Sequence, residues 1–454
     1  MPAWLEALDA ALPGRVVTDA EILEAHRHDH AGLTDAGVAA ALVRARSTRE
    51  VQAVMRVAHE HRVPVVPRGA GSGLAGGANA IDGCIVLSLA AMNQIVKVDP
   101  LGMLAIVEPG VINADLGRAA REHGLFYPPD PASFEMCSIG GNVATNAGGL
   151  CCVKYGVTRE SVLGLEVVLA DGEVLRCGAR TIKSVAGYDL ARLFVGSEGT
   201  LGVVTQITVR LRPLPPPAAT LAASFATMTA AGDAILRILR DRTPSMLEIL
   251  DRSTLAAVER FKPGSTDPDV GALLLARSDS SDRVGDIERF AQLCREAGAS
   301  DLVHTLDPAE GDLLMAVRRL CIPALEREGG ILLDDVAVPI ATIPQMFEAT
   351  AAIAERRGVT IANFGHAGDG NLHPTIVFDP GDADSRRRAQ LAFDDILDAA
   401  LGFGGTVTGE HGVGVLKRAA LRSEIGAVGI RVHHAIKNAL DPRGILNPGK
   451  GLPE

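Results

Sequence analysis

Apolar residues along this chain recur first at helical spacing and then in alternation, and the two periods divide it into elements. Residues 1–40 read as a helical lead-in. At 47–62 a capping box, Ser47-Thr48-Arg49-Glu50, precedes Val51, Val54, Val57 and Ala58 on one helical face. Residues 63–67 read as a strand, 84–98 as further strands with a loop, and 104–111 as a strand. A helix is expected at 113–123, with Asn113 as its cap. The apolar runs at 165–170 and 173–176, joined by Asp171-Gly172, predict a hairpin. Alternation over 203–212 predicts another strand. The proline-rich stretch 213–217 then closes a first domain, 1–215.

Beyond that break the pattern changes. Short strands, as at 247–250 and 272–276, alternate with helices, as at 227–240 and 282–297. This is the pattern of an α+β domain on an antiparallel sheet, here 216–400. Glycines at 402–405 mark a second boundary. The segment 401–454 ends in tight turns at Asn447-Pro448-Gly449-Lys450. The fold class expected for the whole chain is α+β.

Composition narrows the function. The chain has 454 residues, enough for two or three domains. Its net charge is -11 and it has no long run of Lys or Arg, which argues against a nucleic-acid partner. Seven cysteines are scattered without a CxxC, and only Cys151-Cys152 lie close, so reduced thiols in a cytoplasmic protein are expected. The first residues carry acids and no apolar core of signal-peptide length. No uninterrupted apolar run reaches about 18 residues, so no membrane span is expected.

Glycine is abundant, and its clusters carry information. The stretch RGAGSGLAGG at 68–77 places glycines at 69, 71, 73, 76 and 77, letting backbone N–H groups turn toward one point, as a pyrophosphate requires. It is not a dinucleotide fingerprint, because no acid follows about 20 positions on within a βαβ unit. The stretch at 127–133, YPPDPAS, is stiff and extended. SIGGNVATNAGG at 138–149 reads as a second loop, whose donors suit a neutral ring or ribityl chain. GSEGTLG at 196–202 leads into the alternating strand.

Two late motifs hold the candidate chemistry, NFGHAGDGNLHP at 363–374 and GEHGVG at 409–414. His366, His373 and Glu410 make a three-ligand set for zinc or a similar divalent metal, with positions open to water or substrate. His411 then remains to move a proton beside the metal. The blander readings are two buried structural histidines, and for His411 a further ligand or an orienting donor. His26, His28 and His30 read as a solvated surface, because no ligand set accompanies them. His433-His434 reads as structural or exposed.

Seven motifs occur in one order: PRGAGSGLAGG, PPDP, SIGGNVATNAGG, GYDLARLFVGSEGTLGVVT, GHAGDGNLHP, GEHGVG and NPGK. From about residue 40 onward the chain closely resembles the FAD-linked 2-hydroxyacid dehydrogenases of the vanillyl-alcohol-oxidase flavoprotein superfamily. That branch includes D-lactate dehydrogenase, the large subunit of glycolate oxidase and D-2-hydroxyglutarate dehydrogenase. The resemblance implies a two-part FAD-binding domain, an antiparallel-sheet α+β cap, and a C-terminal segment that returns to complete the active site. It assigns the FAD pyrophosphate to Pro67, Arg68, Gly69, Ala70, Gly71, Ser72 and Gly73, and the flavin to Gly140, Gly141, Thr145 and Asn146. Glu198, Gly202 and Val204 fall near its adenine or ribityl side, and Pro131 and Asn447 join the cofactor set. The FAD is expected to be noncovalent, because the glycine loop lacks the histidine that some relatives attach to flavin.

The same resemblance assigns His366, His373 and Glu410 to the metal, with zinc first and manganese or iron as alternatives, and His411 to proton transfer. Arg318, in AVRR, matches an arginine that pairs with substrate carboxylate, and Lys417 is a second candidate there. The blander readings are a surface arginine beside Arg319 and, for Lys417 as for Lys183, a solvated lysine. The implied reaction oxidises a D-2-hydroxy acid to the 2-oxo acid, with hydride to flavin N5. The electrons then pass to a quinone, a cytochrome or an electron-transfer flavoprotein, and the chain is admissible as a homodimer. Ile322 and Leu333 stand where 2-hydroxyglutarate enzymes carry Thr and Lys, and Thr375 stands for an Asn. A lactate-like or glycolate-like monocarboxylate is therefore expected. The alternatives are a D-2-hydroxyglutarate dehydrogenase and a flavoprotein subunit that relays electrons in a complex.

Overall fold

The computed structural model describes residues 2–31, 34–267 and 269–453. The chain forms two compact units. Unit 1 runs through Gly148, resumes over Gly156–Leu214, and resumes again from Glu410. Unit 2 takes Gly149–Tyr155 and Pro215–Gly409.

Among the described residues unit 1 holds two main sheets and a two-stranded pair, Leu125–Phe126 with Arg212–Pro213. The first is four-stranded, in the order Val16–Val17, Ala41–Arg44, Ile85–Ser88, Val65–Arg68. Its last three strands are parallel, and each shows only one exposed or half-exposed residue or none. Strands covered on both faces read as continuous apolar runs in this way. The helix Thr48–His61 packs Val51, Val54, Met55 and Ala58 into the core beside Val65, Ile85 and Leu87. Its cap is Ser47, whose Oγ accepts the Glu50 amide at 3.3 Å, while Glu50 Oε2 accepts the Arg46 amide at 2.8 Å.

The second sheet of unit 1 is antiparallel and five-stranded, in the order Ile95–Asp99, Leu104–Val107, Val203–Arg210, Val162–Val168, Val174–Gly178. The hairpin expected around Asp171-Gly172 is its last pair, with Gly172 at φ +84°. Strand Val203–Arg210 alternates buried and half-buried positions along its whole length, as its sequence alternates.

Two local expectations are corrected. Asn113 does not cap the helix Asn113–Arg121, which starts after Ile112 with no side-chain cap. It is the first helical residue rather than the cap, and its side-chain amide donates to Pro129 O and Asn142 Oδ1, both at 3.1 Å. The stretch at 138–149 is not wholly loop either. Ile139–Thr145 is a helix capped by Ser138 Oγ on the Gly141 amide and closed by Asn146 in the left-handed region. Its two glycines suppress the helical signal, but packing requires Gly140. A Cβ on Gly140 would lie 2.8 Å from Pro109 O.

Unit 2 is built on one antiparallel sheet. Its order is Asp301–Thr305, Ala219–Phe225, Ala272–Ser278, Met246–Asp251, Thr360–His366, Asn371–Phe378, Gly330–Leu333, and Val336–Ala337 also pairs with Asn371–Phe378. Helices cover it, among them Met228–Asp241, capped by Thr227, and Arg283–Glu296. The helices Arg252–Phe261 and Ala316–Glu326 pack on Met246, Leu250, Ala362 and Phe364. Among the described residues no helix is long and apolar enough to cross a membrane.

Candidate functional site

In unit 2 the two motif histidines sit on one hairpin. His366 ends strand Thr360–His366, a turn over 367–370 follows, and His373 is third in strand Asn371–Phe378. The register pairs His366 with Asn371 and Phe364 with His373. Partners directly opposite share a face, and so do residues two apart, so both imidazoles project from the same face as diagonal neighbours. Their Nε2 atoms lie 3.2 Å apart, and the rings are 5 % and 4 % exposed.

That face is the one covered by the helix Ala316–Glu326. Glu248, on the next strand, stands directly across from His366 and is fully buried. Its Oε1 accepts the His366 Nδ1–H at 2.6 Å, and its Oε2 accepts Arg318 Nε–H at 2.8 Å. Arg318 also lies 4.6 Å over the Phe364 ring, a contact worth about 0.5–2 kcal/mol. A buried carboxylate is tolerated only with such a charged partner. On the other side, Asp335 Oδ1 lies 3.8 Å from His373 Nδ1 and accepts Asn371 Nδ2–H at 2.7 Å. Its Oδ2 accepts Thr408 Oγ1–H at 2.8 Å and the Gly409 amide at 3.0 Å. The chain is therefore tethered beside this hairpin one residue before Glu410.

Unit 1 contains a cavity of about 310 Å³. Its walls are the glycine loop after strand Val65–Arg68, the helix Ile139–Thr145, the segment around Glu198–Val204, and Glu410 with His411. Every cofactor residue named from the sequence lines it except Asn146 and Asn447. Asn447 instead clamps the wall, donating to Gly77 O at 2.9 Å and Glu198 O at 2.7 Å. Arg68 turns its guanidinium away, onto His28 O at 2.8 Å and Ala78 O at 3.3 Å, and so ties the loop's two ends together. Gly71 is required at φ +77°, where any side chain would be strained. His28 and His30 are exposed, as read from the sequence, although His30 borders the cavity, and His26 is half-buried with its Nδ1 2.8 Å from Ile22 O.

Electrostatics tighten this wall. Glu198 accepts the amides of Val413 and Gly414, both at 2.8 Å. Burial pushes its carboxyl up, against those two amides. Lys450 donates to Asn79 O, and burial pushes its ammonium down to about 8. Burial also raises the Asp29 carboxyl, whose oxygens accept the Ala31 and Ala78 amides. Glu410 and His411 follow each other on this wall, with Oε1 to Nε2 at 3.7 Å.

Two family models cover most of the chain. Residues 39–178 match the FAD binding domain, and residues 214–451 match the FAD linked oxidases, C-terminal domain. The glycolate oxidase subunit GlcD of Bacillus subtilis (strain 168) is 42% identical over 414 residues, covering 90% of this chain and 88% of that protein. The D-lactate dehydrogenase of Anaerostipes hadrus is 36% identical over 465 residues, covering 99% and 97%. The chain belongs to the FAD-linked oxidase family. Among solved structures, p-cresol methylhydroxylase with substrate bound superposes with a TM-score of 0.84 at 19% identity, over 99% of this chain and 96% of that one, which shows a shared fold.

This FAD-linked oxidase is thus an FAD-dependent oxidoreductase with an FAD binding domain and an antiparallel-sheet domain, and it shares its fold with p-cresol methylhydroxylase. Several residues of its site escape sequence reasoning. Glu248 is the sole charge within the apolar run 246–250, a signal that could have marked it. Asp334-Asp335, inside ILLDDVAV, is a similar signal. Asp29 carries none, and Lys450 lies in the NPGK motif, which assigned it no role. Of the two residues named for the substrate, Arg318 stands beside the histidine hairpin, bonded to Glu248. Lys417 is buried in unit 1 ahead of the helix Arg418–Leu440 and does not line the cavity.

Proposed function

We propose that this oxidoreductase converts a D-2-hydroxy acid into its 2-oxo acid, using FAD and a divalent metal, and that a lactate-like or glycolate-like monocarboxylate is the substrate. The observation that carries the reading is the buried His366–His373 pair within a chain 42% identical to a glycolate oxidase subunit. Two imidazole nitrogens facing each other at 3.2 Å suit a shared cation, and nitrogen donors suit zinc. Glu410 is the carboxylate that the family resemblance adds to this pair. The cavity walls of unit 1 fit an FAD, with the residues named above as its contacts. When bound, FAD supplies a two-electron hydride acceptor and the metal a Lewis acid for the substrate hydroxyl.

The chain's own residues do the rest. Arg318 carries further N–H donors on its terminal nitrogens and takes the substrate carboxylate. His411 accepts the hydroxyl proton as the hydride leaves the same carbon, so two electrons and two hydrogens depart together. The FAD held there would be reoxidised by an external acceptor of the quinone, cytochrome or electron-transfer flavoprotein class. The subunit naming of the Bacillus relative favours a chain that works with other polypeptides. Anaerobic titration of the flavin spectrum with D- and L-2-hydroxy acids tests the reaction. If no acid bleaches the flavin, the reading fails.

Two predictions arise here. Purified protein should release its FAD on acid or heat treatment, and flavin that stays with the precipitated chain would show a covalent bond. The second concerns substrate choice. Leu333 pairs across the sheet with Thr375, two residues beyond His373, and Ile322 lies one helical turn from Arg318. Thr375 is fully buried and spends its hydroxyl on His373 O at 3.1 Å. None of the three brings a cation to a second carboxylate. Losing one charge-assisted contact costs about 1.5–3 kcal/mol. D-lactate should therefore reduce the flavin with a kcat/KM roughly ten- to a hundredfold above that of D-2-hydroxyglutarate. Stopped-flow reduction with both acids at one pH checks it. A win for D-2-hydroxyglutarate would mean that another cation holds the distal carboxylate.

A further inference from the structure

The metal reading accounts for His366 and His373 but leaves a fully buried carboxylate beside them without a part. Glu248 interrupts an apolar strand, in register with His366, and each of its oxygens is spent on one donor. We propose that Glu248 is a positioning residue for the histidine pair, fixing His366 as the Nδ1–H tautomer with its Nε2 lone pair toward the metal, while Arg318 holds Glu248 in place. This rests on the metal reading above, and Glu248 itself touches neither metal nor substrate.

The geometry allows little else. A neutral imidazole carries one N–H, and the nitrogen bonded to a carboxylate must be the donor. With Nδ1 at 2.6 Å from Oε1, the opposite tautomer would set a nitrogen lone pair against an oxygen lone pair. His366 therefore presents Nε2 as an acceptor, 3.2 Å from the matching atom of His373. A hydrogen-bonded carboxylate behind a ligating imidazole fixes the ring's tautomer and rotation and raises its basicity.

Arg318 extends the chain of support by one step. Its Nε–H holds the second oxygen at 2.8 Å, and its own position is set by the Phe364 ring at 4.6 Å. Phe364 is in turn the cross-strand partner of His373. The helix Ala316–Glu326 thereby fixes the orientation of His366 through one carboxylate. Glutamine cannot replace Glu248 in this role. It has the same length but one acceptor oxygen, and its NH2 would be turned on a donor, either His366 or Arg318.

The test is zinc affinity by competition with a chromophoric chelator, on full-length, FAD-loaded protein. Wild type, Glu248→Gln, Glu248→Asp and His366→Ala are compared. Glu248→Gln should bind zinc about 10- to 100-fold more weakly, with flavin per chain unchanged. Glu248→Asp should recover part of the loss, because a carboxylate still accepts. Wild-type affinity in Glu248→Gln overturns the role of Glu248 alone. A wild type that takes up no zinc overturns the metal reading and this proposal with it. Should Glu248→Gln fail to fold, long-range 1H–15N spectra of histidine-labelled wild type decide the tautomer. The signals missing from His366→Ala belong to His366, and an Nε2–H assignment among them overturns the proposal.

Discussion

Replacing His366 with alanine is expected to strip the metal and lower turnover by about a hundred- to a thousandfold while the flavin stays bound. The size follows from the several kcal/mol that a Lewis acid contributes to a developing charge. The separation of effects follows from the fold. His366 lies on a hairpin of unit 2, whereas the cavity lined by the glycine loop, the proposed FAD site, lies within unit 1. The substitution removes the donor on Glu248 Oε1 but leaves Oε2 paired with Arg318 at 2.8 Å, so the buried carboxylate keeps its cation and the chain should fold. Glu410→Ala should lose metal in the same way. Elemental analysis, the flavin spectrum and steady-state rates measured on one preparation give the answer. Full zinc occupancy in His366→Ala would refute the ligand assignment.

How much of this could be read from the sequence depends on how local each signal is. The capping box at Ser47, the Asp171-Gly172 turn and the alternation in 203–210 are set by neighbours a few residues apart, and each reappears in the structure. The His366–His373 hairpin belongs to the same class, because its turn and both histidines lie within one short motif. Helix Ile139–Thr145 is different. Its glycines argue against a helix, and what holds it is the Ser138 cap together with the close approach of Pro109, about 30 residues away. Glu248 lies further still from what it serves, 70 residues from Arg318 and 118 from His366. No window along the chain brings those three together, since only the sheet order does.

The segment Gly149–Tyr155 shows the same limit. It interrupts unit 1 in sequence yet belongs to unit 2, where Tyr155 Oη–H donates to Asp279 Oδ2 at 2.6 Å and Lys154 pairs with the same carboxylate. Val153 fills the space over Gly368 in the histidine hairpin's turn, so a Cβ there would lie 2.7 Å from it. A pairing across more than two hundred residues leaves no trace in local periodicity. The two carboxylates that hold the GEHGVG motif are marked in the sequence, Asp335 as a charge inside ILLDDVAV and Glu198 within GSEGTLG, but the amides they meet are not. Asp335 holds Gly409 within unit 2, and Glu198 holds Val413 and Gly414 within unit 1. The motif residues were legible, and the partners of their amides were not.

Replacing His411 with alanine should give the sharpest kinetic effect, about a hundred- to ten-thousandfold in kcat, the range expected when a general base is lost. The ring lines the unit 1 cavity on a segment with little freedom. Gly412 follows it at φ +88°, and the next two amides are spent on Glu198. A side chain so held is aimed by the backbone, so if His411 has the proposed role, alanine removes the proton acceptor without loosening the wall. Imidazole is also the side chain suited to take a proton at neutral pH. Zinc and FAD should both remain at wild-type levels, and KM should change far less than kcat, because the lost interaction belongs to the transition state. Stopped-flow flavin reduction read beside metal content separates the roles. Depleted zinc would make His411 a ligand, and a loss in kcat below about tenfold would make it an orienting donor rather than the base.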